Sequence, residues 1–261
     1  MAGLVPAILS RNAEAVPKDS GSPGRNVPWP VGDSELKSPR AFFGRRKGHA
    51  LKPRQAELFE TLLPRAKLDL TKPPPADLRA LFVPPVDRVR LEIGFGGAEH
   101  LLAQASAEPH TGIIGADAFV NAIAKALAGI DAHKLHNVRL HFGDASELID
   151  WLPPTSLERI DLLYPDPWPK RRHWKRRFVQ DEMLVRLARI LLPGGEFRFA
   201  TDIPDYADYV LMRILRSADF VWTAQTAEDW RKPWAGYSQT RYEAKALRQA
   251  RVPAYFDFRR V

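Results

Sequence analysis

The chain has 261 residues, 45% of them hydrophobic, enough for one sizeable α/β core. With 39 Lys and Arg against 31 Asp and Glu, its formal charge of +8 favours polyanionic partners, nucleic acid or a membrane surface on charge alone. Cysteine is absent, which removes disulfides, Cys-ligated zinc, iron–sulfur clusters and thiol nucleophiles, and no stretch reaches the roughly 20 apolar residues of a spanning helix.

In chain order, residues 1–40 are rich in Pro, Gly, Ser and charge and read as a flexible tail. Residues 41–85 form an N-terminal extension, with helical spacing from Gln55 to Leu63 ending before Pro64, and prolines at 73–75 and 84–85 framing a short segment. The main domain, 86–261, opens near Asp87. Strand-like runs at Val89–Ile93, Ile113–Gly115, Val138–His141, Ile160–Tyr164 and Glu196–Ala200 alternate with helical ones, which predicts parallel strands joined by right-handed crossovers. A helix is expected over Phe178–Leu192, closed by Pro193-Gly194-Gly195, and a last strand over Ala254–Phe258. The apolar start M-A-G-L-V-P-A-I-L-S-R lacks a charged region ahead of it, so a cytoplasmic protein is expected.

Three features carry chemistry. The turn L-E-I-G-F-G-G after the first strand puts Gly94, Gly96 and Gly97 where a ligand can approach backbone N–H groups at a helix start, a pattern that also fits dinucleotide-dependent oxidoreductases or a turn with no ligand. Glu92, Asp117, Asp144 and Asp166 follow successive strands, where ligands bind in open α/β sheets, and carboxylates accept from the hydroxyls and amine of an adenosine. The run P-D-P-W-P-K-R-R-H-W-K-R-R, Pro165 to Arg177, fixes the backbone on both sides of Asp166 and then mixes six cations with aromatic rings, as RNA-binding surfaces do. Trp168 and the group Trp230, Trp234 and Tyr237 suit base stacking and packing equally.

L-E-I-G-F-G-G, P-D-P-W-P-K and T-R-Y-E together resemble the bacterial tRNA (guanine-N7)-methyltransferase family, from about Arg45 to the C-terminus. The resemblance implies the class I methyltransferase (Rossmann-like) α/β fold, a mostly parallel seven-stranded sheet with an antiparallel last strand and helices on both faces. It implies S-adenosylmethionine as cofactor, S-adenosylhomocysteine as product, no metal, and tRNA as partner through its variable-loop guanine, with a monomer or homodimer left open. Glu92, Gly94, Gly96, Asp117, Asp144 and Asp166 would bind the cofactor, with Asp166 catalytic; Lys170, Asp202, Thr240, Arg241, Tyr242 and Glu243 would bind substrate; and Arg172, His173, Trp174, Lys175, Arg176 and Arg177 would contact RNA. Two positions depart from many relatives, the G-G-A of the turn and Asp117 where Glu is frequent, and neither removes a needed carboxylate or turn glycine. A methyltransferase of another RNA or of protein, and an idle RNA-binding module of the same fold, are the competing readings.

Overall fold

The computed structural model describes Gly44 and residues 46–261; the expected tail at 1–40 lies outside them. Seven strands form one sheet in the order β3-β2-β1-β4-β5-β7-β6. They are β1 Arg88–Ile93, β2 Thr111–Asp117, β3 Val138–Phe142, β4 Leu157–Leu163, β5 Leu191–Thr201, β6 Phe220–Trp222 and β7 Ala254–Arg260. Only β7 runs against its neighbours β5 and β6. The central strands are buried nearly throughout, as V-R-L-E-I and T-G-I-I-G-A demand when both faces are covered.

One face packs on α5 Ala145–Trp151, α6 Asp181–Ile190 and α7 Pro204–Ile214, through residues such as Leu148, Leu187 and Tyr206. The other packs on α1 Pro53–Thr61, α3 Glu99–Ala107 and α4 Val120–His133, through Phe59, Leu101 and Ile123. The extension has no core of its own: Leu58 and Leu63 join the second cluster, and Leu78 and Phe82, from a 3-10 helix Leu78–Leu81 and its end, join the first. A second short helix, α2 Leu63–Ala66, takes Pro64 in its first turn, where the missing N–H costs nothing.

Two expected boundaries move. The helix expected from Phe178 begins at Asp181, because the Gln180 side chain donates to the carbonyls of Trp174 and Arg177 and holds the approach extended. The turn expected at Pro193-Gly194-Gly195 lies inside β5: pairing passes from Leu157–Leu191 to Arg159–Glu196, so these residues are looped out as a bulge. Strand β6 escaped the sequence reading, being three residues long with only Phe220 buried. Among the described residues, no helix is long and apolar enough to cross a membrane.

Candidate active site

Strand order reverses between β1 and β4, which opens a crevice at their carboxyl ends. The loop after β1 forms one lip. Gly94 and Gly96 take φ of +68° and +51°, and at Gly96 the close approach is real as well, since a Cβ would stand 2.9 Å from the Tyr242 ring. The helix α3 that follows has Ala98 at its N-cap with no side-chain cap, so its first amides are available to an anion. Asp117 closes the turn from β2: its carboxylate accepts from Gly96 N at 2.9 Å and Phe119 N at 2.8 Å. Burial outweighs those bonds and pushes its pKa up to about 6. Asp144, after β3, caps α5 through Ser146 N at 2.8 Å.

Glu92 ends up deeper than the other acids, 3% exposed, and accepts from His100 Nδ1 at 2.9 Å. Burial drives the Glu92 carboxyl up; at His100 burial is outweighed by the Glu92 carboxylate, which holds the imidazole above its ordinary range. Sequence reading missed His100 and its neighbour on the same helix face, Gln104, although two polar residues on the buried side of a short helix were a readable signal. Gln104 donates to the Gly236 carbonyl at 2.7 Å and accepts from Arg159, which also pairs with Asp161 at 2.9 Å. The sheet surface beneath these residues is therefore polar where it meets the 233–240 segment.

The opposite lip follows β4. Tyr164 and Trp168 both hold left-handed φ, +51° and +43°, a costly conformation for side chains of this size. Between them Asp166 is exposed, near enough for its charge to act on Asp117 and on the Tyr242 hydroxyl. Arg171–Arg176 then forms a 3-10 helix, in which residues three apart fall in one row. Lys170, Arg171, Arg172 and Lys175 are exposed, while His173 and Arg176 are half-buried against the Trp168 ring. Trp174 and Arg177 turn away from the exposed cations of the run. Trp174 packs on Tyr209, and Arg177 is 2% exposed among the rings of Trp174, Tyr206 and Tyr209, donating to Pro167 O and to Asp205.

The T-R-Y-E segment closes the front. Thr240 caps α8 Arg241–Arg248 by accepting from Glu243 N at 3.1 Å, the T-x-x-E capping signature. Arg241 pairs with Glu99 at the start of α3, and half-exposed Tyr242 lies over Gly96. Glu243 is buried and accepts from the Tyr255 hydroxyl, not from Lys245 or Arg241. Asp202, after β5, pairs with Arg251 at 2.5 Å.

A family model described as "Putative methyltransferase" matches residues 87–254, the span from β1 to the first residue of β7. A tRNA (guanine-N(7)-)-methyltransferase of Rhodopseudomonas palustris (strain BisA53) is 58% identical over 228 residues, covering 87% of this chain and 91% of that protein. The chain belongs to the tRNA (guanine-N7)-methyltransferase family. Proteins of that name from Rhizobium meliloti and Nitrobacter winogradskyi are 57% and 55% identical over 84% and 85% of this chain. As a member of this methyltransferase family the chain is an enzyme with the class I methyltransferase fold, and its reversed β7 is the antiparallel strand expected of that sheet. Every segment singled out above, from the glycine turn to T-R-Y-E, lies inside the span matched by the family.

Proposed function

We propose that this chain transfers the methyl group of S-adenosylmethionine to N7 of a variable-loop guanine in tRNA, and that the crevice between β1 and β4 is where it does so. One observation carries the reading: exposed Asp166, held between two prolines, lies close enough to Asp117 and Tyr242 for its charge to act on both, and exposed Lys170, Arg171, Arg172 and Lys175 follow it in the chain. The names of the relatives agree with the choice of tRNA and of N7.

The residues present fit the cofactor. Asp117 and Asp144 offer carboxylates to ribose hydroxyls and the adenine amine, and the uncapped amides of α3 beside Gly94 and Gly96 suit its carboxylate. Glu92, held by His100, would offer an acceptor to its amino group. When bound, the cofactor supplies an activated methyl group.

Guanine N7 carries a lone pair and no proton, so the chain needs no general base. Its task is alignment and charge. Asp166 accepts from the Watson–Crick edge of guanine, whose N1–H and 2-amino groups are donors, and offsets the positive charge that develops on the purine. Lys170, Arg172 and Lys175 neutralise RNA phosphates, while His173 and Arg176, seated on Trp168, border the same surface. The decisive experiment incubates tRNA with the protein and methyl-labelled cofactor and analyses the nucleosides by mass spectrometry. Labelled 7-methylguanosine is expected; label in another nucleoside, or only in another RNA, overturns the reading.

A further inference from the structure

Helix α3 lies on a sheet face that is itself charged. Glu92 of β1 and Asp161 of β4 are register partners on neighbouring parallel strands and both are buried, so two carboxylates lie side by side beneath the helix. A pair of buried acids is costly unless cations answer it. Arg159, two residues before Asp161 on the same face, pairs with Asp161 at 2.9 Å and donates to Gln104 of α3. Glu92 is answered by His100, 1% exposed, whose Nδ1 stands 2.9 Å from its Oε2. Burial pulls the imidazole down, and the charges of Glu92 and Asp161 outweigh it and the opposing Arg159, so the group closes as two acids against a guanidinium and an imidazolium. On another side the imidazole meets the uncharged Tyr237 ring, 5.5 Å away between centroids. Glu92 stands at the crevice end of this group, two residues before the left-handed turn at Gly94.

We propose that His100 is a positioning residue for the cofactor: it holds Oε2 of Glu92 so that Oε1 accepts from the amino group of S-adenosylmethionine, and so makes the pocket read the amino-acid end of its ligand. This rests on the cofactor reading above and assigns the selectivity to a residue of α3 that itself touches no ligand. Burial drives the Glu92 carboxyl up, and the His100 charge and hydrogen bond are the main forces opposing it. Without them the acid takes up a proton, and a neutral carboxyl holds an ammonium group far less well than a carboxylate does.

The test measures by calorimetry the binding of S-adenosylhomocysteine and of its analogue lacking only the amino group. The parent protein is expected to bind the analogue about ten- to a hundredfold more weakly, the scale of one hydrogen bond between charged groups. His100→Leu is expected to bring that ratio to within about threefold, chiefly by weakening S-adenosylhomocysteine. Affinity for 5′-methylthioadenosine, which lacks the amino-acid end, should not change. His100→Asn keeps a donor without the charge; its ratio should fall between the two, and it serves if His100→Leu does not fold. A parent protein indifferent to the amino group, or variants that weaken all three ligands alike with the ratio kept, overturns the inference and leaves His100 a structural partner of Glu92. Neither outcome touches the methylation of tRNA. A parent protein that binds no S-adenosylhomocysteine overturns the cofactor reading itself, and this inference with it.

Discussion

The guanidinium of Arg177 donates from Nε to the Pro167 carbonyl, 2.8 Å away and ten residues earlier in the chain. The same group lies 4.6 to 4.8 Å from three aromatic rings and pairs with Asp205. It therefore anchors the loop that presents Asp166. Arg177→Ala is expected to lower unfolding free energy by about 3 kcal/mol, from the lost cation–π contacts and charged hydrogen bonds of a desolvated side chain. Urea denaturation checks this; a loss under about 0.5 kcal/mol would place Arg177 among ordinary surface cations.

Asp166 itself is exposed, so its removal should leave the fold alone. Asp166→Ala is expected to reduce kcat by about a hundred- to a thousandfold, the scale for removing one preorganised electrostatic group, at unchanged melting temperature. Single-turnover methylation of tRNA measures it. Activity near that of the parent protein would remove Asp166 from the mechanism.

Arg172 and Lys175 occupy the outward row of the 3-10 helix. Converting both to Gln is expected to weaken tRNA binding and to flatten the plot of log affinity against log salt by about one for each charge removed. Filter binding across a salt series gives the slope. An unchanged slope would mean that tRNA lies elsewhere.

Asp117 gives a pH signature. Its folded pKa of about 6 lies above the ordinary 3.8, so the ligand-free fold binds this proton more tightly than the unfolded chain does. Its contribution to stability is present below the unfolded pKa and is lost as pH rises to about 6. Cofactor affinity should run the other way, rising between about pH 5 and 7 as the carboxylate ionises to accept from ribose hydroxyls. Calorimetric titration is expected to show that rise in the parent protein and a flat profile in Asp117→Asn.

The strands of the sheet and the acids at their ends were legible because apolar runs in β1 to β5 and the turn glycines state them locally. What was not legible depended on partners distant in sequence. Glu243 and Tyr255 are twelve residues apart, and Gln104 reaches Gly236 across 132 residues. Arg177 illustrates the second kind of failure. Composition made it one more cation of a basic run, whereas the Pro167 carbonyl, Asp205 and three aromatic rings hold it inside. Thr240 shows how one motif carries two signals: T-x-x-E also spells a helix cap, which its hydroxyl oxygen makes.

Helix α3 borders both ends of the crevice. Its first turn follows Gly96, while Glu99, His100 and Gln104 touch Arg241, Tyr237 and Gly236, which the proposed function puts on the substrate side. If cofactor and RNA bind as proposed, by whatever factor an occupied cofactor pocket changes the affinity for RNA, bound RNA changes the affinity for cofactor by the same factor. On the proposed function, retention of the demethylated product and release of the methylated RNA then report one coupling energy, and the nine residues of α3 are the element that touches both sides.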